Sequence, residues 1–213
     1  MLQFITHPSD KYSVPEEVQM AIEGGCRWIQ LRLKDASDEE FTAVAQEIIP
    51  LCRESNSFLI FDDRVELAIK LQVHGVHLGK NDMPPAQARE MMGAEAIIGC
   101  TANTADDILA LRGLDVDYVG LGPLRYTTTK ARLSPVIGYE GYRDIMNKVA
   151  AEGNKLPVVA IGGVTIDDIE PLIAAGVNGI AMSGAIINAP DPVVYTAEIM
   201  ARLMKINPNI SNN

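Results

Sequence analysis

The chain has 213 residues, 47% of them hydrophobic, enough to bury the core of one α/β domain. Its 18 Lys and Arg stand against 28 Asp and Glu, a net charge of -10, which excludes bulk attraction to nucleic acid or an anionic membrane. Any phosphate binding must use a local cluster of cations, aided by a metal ion.

Three widely spaced cysteines, Cys26, Cys52 and Cys100, form no Cys-x-x-Cys pair, which argues against a disulfide framework or a structural zinc site. The sequence predicts no signal peptide, and no apolar run nears the roughly 20 residues of a membrane span. The expected location is the cytoplasm.

Taken in chain order, short apolar runs alternate with stretches whose apolar residues fall three or four apart. Strands are predicted over residues 3–6, 27–32, 58–61, 75–78, 96–99, 118–121, 157–161 and 179–182. Helices are predicted over 16–23, 38–55, 65–71, 84–92, 105–112, 139–151, 166–174 and 193–204. Ser37 with Glu40 and Thr165 with Asp168 have the spacing of capping boxes, while Gly24, Gly25 and Gly176 follow helices, where left-handed backbone suits glycine. This alternation predicts an α/β fold, a single (β/α)8 TIM barrel over residues 1–206 with a polar tail at 207–213. A doubly wound sheet is the second choice.

In a barrel, the chemistry lies at the C-terminal ends of the strands. Read at those positions, the chain offers Gln30, Arg32 and Lys34 on one face of an extended segment, with Leu31 and Leu33 on the other. Lys80 and Arg125 add to this cationic end, and inward charges there call for an anionic partner. Asp63 and Asp82 follow neighbouring strands, where two carboxylates can share one hard cation such as Mg2+. Ile161-Gly162-Gly163 and Met182-Ser183-Gly184 follow the last two strands, a common place for a phosphate site. The loop 122–138 carries Thr127, Thr128, Thr129 and Lys130 and has the length of a functional loop, one that could close over a ligand. His7, His74 and His77 read as structural.

Taken together, Gln30-Leu-Arg-Leu-Lys-Asp35, Asp62-Asp-Arg-Val65, Gly75-Val-His-Leu-Gly79 with Asp82, Gly120-Leu-Gly-Pro123 leading to Thr127-Thr-Thr-Lys130, and Ala160-Ile-Gly-Gly163 resemble the successive motifs of the thiamine phosphate synthase family. The resemblance runs through nearly the whole chain. It implies a (β/α)8 barrel that joins a hydroxymethylpyrimidine diphosphate to a thiazole phosphate and releases pyrophosphate with Mg2+. It further implies that Gln30 to Lys34, Asp62, Thr101 and Lys130 contact the pyrimidine diphosphate, and that Asp63 and Asp82 hold the metal. Thr127, Thr128, Thr129, Gly163, Ser183 and Gly184 would hold the thiazole phosphate. Arg32, Lys34 and Lys130 would stabilise the departing pyrophosphate.

The chain departs from the family at three positions: Asp62 stands where Asn is usual, and Thr101 and Gly184 where Ser is frequent. The partners expected are small phosphorylated molecules, with no nucleic acid and no membrane; the sequence leaves a homodimer open. Two other functions compete. The related thiazole tautomerase uses a histidine near the position of Asn103, and asparagine cannot act as that base. A non-catalytic phosphate sensor would need neither the paired carboxylates nor the Gln30-Arg32-Lys34 face.

Overall fold

The computed structural model describes residues 1–126 and 135–206. The eight strands are β1 (Leu2–Ile5), β2 (Trp28–Leu31), β3 (Phe58–Asp62), β4 (Gly75–Leu78), β5 (Ile97–Ala102), β6 (Tyr118–Leu121), β7 (Val158–Ala160) and β8 (Gly179–Met182). All are parallel, each pairs with the next, and β8 pairs with β1, so the sheet closes and the doubly wound alternative falls away.

Helices α1 (Val14–Glu23), α2 (Asp38–Glu54), α3 (Val65–Leu71), α4 (Pro85–Met92), α5 (Ala105–Ala110), α6 (Gly138–Ala151), α7 (Ile169–Ala174) and α9 (Pro192–Ile206) occupy the predicted intervals. The remaining helix, α8 (Gly184–Ile187), lies between β8 and α9 and was not expected. Its four residues are too few to show a helical period. The start of the predicted 166–174 helix is a 3-10 turn, Ile166–Asp168. No helix among the described residues is long and apolar enough to cross a membrane.

Strand parity divides the buried side chains into two sets. Phe4, Ile29, Leu31, Phe61, Leu78 and Val119 point outward and form the core with the helices. Ile5, Trp28, Ile60, Tyr118, Val159 and Ala181 point inward and fill the barrel. Gln3, Gln30 and His77 are also buried, so the interior is partly polar. Trp28 and Tyr118 meet edge to face, with ring centroids 4.7 Å apart. Glycine makes room for the second ring: a Cβ at Gly99 would overlap the Tyr118 ring.

The helix starts follow local chemistry. Ser37 and Glu40 satisfy each other's backbone N–H groups at α2, and Thr165 and Asp168 do so ahead of α7. Of the two glycines after α1, Gly25 is left-handed at φ 96°, whereas Gly24 lies at φ -73°. What requires glycine at position 24 is space, since a Cβ would lie 2.7 Å from the Val193 carbonyl oxygen.

Replacing Gly99 by alanine drives a methyl into the Tyr118 ring, which Trp28 and Gln3 hold from other sides. Gly99→Ala is expected to lower unfolding stability by about 1–3 kcal/mol, measured by urea denaturation.

Candidate active site

The C-terminal end of the barrel opens into a cavity of about 990 Å3, whose wall includes Gln30, Asp62, His77, Thr101, Gly163 and Ser183. Its position follows from the parallel sheet, in which all strand ends and the loops after them share one side. The cations of β2 and its following turn gather at one carboxylate. Asp62, the last residue of β3, receives a hydrogen bond from Gln30 Nε2 at 3.1 Å. It also pairs with Arg32 Nε and Lys34 Nζ, each at 3.5 Å. The anionic partner that inward cations require is thus supplied in part by the protein itself.

Thr6 fixes the backbone of this group, its hydroxyl oxygen accepting the Arg32 N–H at 2.9 Å. Leu31 is buried against the helices and Leu33 packs on the same core, which leaves their backbone atoms, not their side chains, for the mouth. Lys34 also reaches Asp63 at 3.3 Å. Burial disfavours the Lys34 ammonium, but Asp62 and Asp63 outweigh it and raise its pKa.

Asp63 is left-handed at φ 61°, a conformation asparagine and aspartate tolerate better than most residues. Burial pushes its pKa up, the Asp62 charge adds to this, and Asp82 contributes in the same direction. Asp82 closes the turn after β4 by accepting the Gly79 N–H at 2.6 Å. It does not cap α4, whose N-cap residue is Pro84, with no side-chain cap. Thr101, on β5, meets His77 Nε2 at 3.0 Å.

Two cations expected at the mouth are committed elsewhere. Lys80 lines the cavity but binds Asp107 at 2.6 Å. Arg125 donates to both oxygens of Asp168, each at 2.6 Å. That carboxylate also accepts from the Tyr139 hydroxyl and from the N–H and hydroxyl of Thr165 at 2.7 and 2.9 Å. The glycines of the β7–α7 turn are required by this packing: Gly162 and Gly163 have φ of 91° and 74°, and a Cβ on Gly162 would lie 2.6 Å from Pro123.

Arg125 and Leu124 donate their N–H groups to Gly162 O and Ile161 O at 3.1 and 3.0 Å. Ile137 and Gly138 donate to Pro123 O and Leu124 O at 2.9 and 3.1 Å, so both described ends of the 122–138 loop are anchored. Thr127, Thr128, Thr129 and Lys130 lie outside the described residues, as do the stretch 131–134 and the 207–213 tail. Ser183 and Gly184 stand where β8 passes into α8, on the cavity wall with Gly163.

A family model for thiamine monophosphate synthase matches residues 2–186 of this chain. The chain belongs to that family. It is 55% identical over 199 residues to a thiamine-phosphate synthase of Bacteroides fragilis, an alignment spanning 93% of this chain and 98% of that one. A thiamine-phosphate synthase of Flavobacterium psychrophilum is 37% identical over 202 residues, spanning 95% of this chain and 98% of the relative. Among solved structures, thiamine phosphate pyrophosphorylase from Pyrococcus furiosus superposes with a TM-score of 0.83 at 33% identity, covering 97% of this chain and 96% of its own. The barrel of 3-hexulose-6-phosphate synthase superposes with a TM-score of 0.68 at 16% identity, which reflects the fold alone. The protein is a TIM-barrel enzyme, a transferase of thiamine biosynthesis.

Sequence reasoning missed the partners of His77 and Arg125, and it placed Arg125 among the ligand-facing cations. Burial pushes the Asp168 carboxyl up, but its hydrogen bonds from Arg125, Tyr139 and Thr165 outweigh that and hold it at about 2. Because this folded value lies below the ordinary one, the stabilisation is complete above about pH 4 and disappears as pH falls through about 2. It amounts to roughly 2 kcal/mol. Asp168→Asn should lose that stability at neutral pH and show a shallower fall between pH 4 and 2, read from denaturant midpoints across that range.

Proposed function

We propose that the chain couples a hydroxymethylpyrimidine diphosphate to a thiazole phosphate, forming thiamine phosphate and pyrophosphate. Family membership supports the reaction. The observation that carries the assignment of the site is the convergence of Gln30, Arg32 and Lys34 on Asp62 at the mouth of the cavity. It presents two preorganised cations to an anion arriving from the loops.

In this reading, Gln30 and Asp62 face the aminopyrimidine, and Arg32, Lys34, Thr101 and Lys130 face its diphosphate. Thr127, Thr128 and Thr129, with Gly163, Ser183 and Gly184, hold the thiazole phosphate. The bond between the pyrimidine methylene carbon and the diphosphate oxygen breaks, and its electron pair leaves with pyrophosphate. Arg32, Lys34 and Lys130 stabilise the charge that gathers there, a contribution of about 2.7–4 kcal/mol for a well-placed donor. The thiazole nitrogen lone pair then forms the carbon–nitrogen bond. No side-chain nucleophile or base is needed.

Asp63 and Asp82 offer only hard oxygen donors, and among the described residues no cluster of three or more His, Cys, Asp or Glu could hold a metal unaided. Two carboxylates completed by diphosphate oxygens suit Mg2+. Burial, and after it the Asp62 and Asp82 charges, raise the Asp63 pKa, and a cation held there would offset both. Bound there, Mg2+ would supply further charge stabilisation for the departing pyrophosphate. The tautomerase reading loses ground because Asn103 has no titratable proton and donates its amide to Gly122 O at 2.6 Å.

Incubating the purified chain with both substrates and Mg2+ should yield thiamine phosphate and pyrophosphate; absence of both products would refute the reaction. Asp63→Asn and Asp82→Asn are the informative metal variants, because asparagine tolerates the left-handed backbone at 63 and can keep the acceptor for Gly79 at 82. Each is expected to cut kcat/KM by about a hundredfold or more, about 2.7 kcal/mol, and to raise the Mg2+ concentration needed for half activity while the melting temperature holds. Near-wild-type turnover in EDTA would exclude the metal role.

Asp62→Asn should behave differently. An asparagine oxygen still accepts from Gln30, and its amide adds the donor an ionised carboxylate lacks. Coupling should stay within about tenfold of the parent, roughly 1.4 kcal/mol. A larger loss, measured as kcat/KM for the pyrimidine diphosphate, would mean that the Asp62 charge itself is needed.

A further inference from the structure

A column of polar side chains crosses the barrel interior beneath the mouth. Gln3 Nε2 donates to the Tyr118 hydroxyl at 3.0 Å. That hydroxyl meets His77 Nδ1 at 2.9 Å, and His77 Nε2 meets the Thr101 hydroxyl at 3.0 Å. Gln3, Tyr118 and His77 are 2%, 3% and 7% exposed. The barrel leaves space for them: Gly99 makes way for the Tyr118 ring, and a Cβ at Gly120 would come within 3.1 Å of His77 Cε1.

The direction of the hydrogen bonds follows from what each atom can do. An amide nitrogen only donates, so the Tyr118 oxygen accepts from Gln3. Burial pushes the Tyr118 pKa upward, which keeps its proton in place. Among the described residues, the hydroxyl of Tyr118 meets only Gln3 and His77. With a neutral imidazole, its proton therefore has Nδ1 as acceptor, which leaves the imidazole proton on Nε2. That proton occupies a lone pair of the Thr101 oxygen and frees the Thr101 O–H to point into the cavity.

We propose that Gln3, Tyr118 and His77 form a directional chain that keeps Thr101 a hydrogen-bond donor toward the bound diphosphate, with His77 as its positioning residue. The proposal rests on the reading that Thr101 faces that diphosphate. Reversed, the threonine proton would satisfy His77 Nε2, and only oxygen lone pairs would face an anion. A buried polar chain of this kind is stable only when all its members are satisfied, and here the last donor finds its partner in the substrate.

Steady-state kinetics of the full chain, run as a double-mutant cycle, test this. Tyr118→Phe keeps the ring in the core but removes the donor to Nδ1. It is expected to lower kcat/KM for the pyrimidine diphosphate about three- to tenfold, with the thiazole phosphate KM unchanged. His77→Leu should lose at least as much, and His77→Gln, whose amide can still donate to Thr101, should recover part of the loss. In a Thr101→Val background Tyr118→Phe should have no further effect, because both act through one hydroxyl. Nitrogen NMR should find His77 protonated on Nε2 in the parent and on a mixture of nitrogens in Tyr118→Phe.

Additive losses, or a parent ring protonated on Nδ1, would overturn the chain. Full activity of Thr101→Val would instead refute the placement of the diphosphate at Thr101. An impaired Thr101→Val beside an unimpaired Tyr118→Phe would refute the chain alone. If His77→Leu does not fold, Tyr118→Phe and the NMR tautomer decide.

Discussion

The mouth of this barrel is organised around one carboxylate, Asp62. Asp62 ends β3 beside β2, and from there it holds Gln30, Arg32 and Lys34 at once. Three flexible side chains are thereby ordered before substrate arrives, so less conformational entropy is lost on binding. Counter-charge within the protein also lets two cations sit close together on a chain whose net charge is -10.

The interior beneath that mouth is not a plain hydrocarbon plug. Its apolar layer of Ile5, Trp28, Ile60, Tyr118, Val159 and Ala181 shares the barrel with buried Gln3, Gln30 and His77. Buried polar groups are tolerated where each finds a partner, and Gln3, Tyr118 and His77 meet that condition in the column that ends at Thr101. Such a column specifies direction as well as distance, which aliphatic contacts do not.

Much of this was legible in the sequence, for local reasons. Strands such as 75–78 and 118–121 carry short apolar runs between amphipathic helices, and Ser37 with Glu40 signals a helix start within four consecutive residues. The resemblance to a known family was legible because its motifs recur in order at strand ends. Less legible were interactions whose partners lie far apart in the chain. Arg125 looked like a ligand-facing cation, yet its partner Asp168 is 43 residues away. His77 looked structural because it lies with His74 about one short strand, and its partner Tyr118 is 41 residues away. The helix Gly184–Ile187 has no period to read.

The clasp of Arg125 on Asp168 ties the start of the 122–138 loop to the start of α7, with Tyr139 of α6 closing it from the far end of the loop. Positions 125, 139 and 168 therefore form one structural unit. A chimera that imports the 122–138 loop from a relative without the matching residue at 168 would leave a carboxylate with 2% side-chain exposure lacking its cation. A loop placed after β6 is therefore exchangeable only together with the residue at 168 that pairs with position 125.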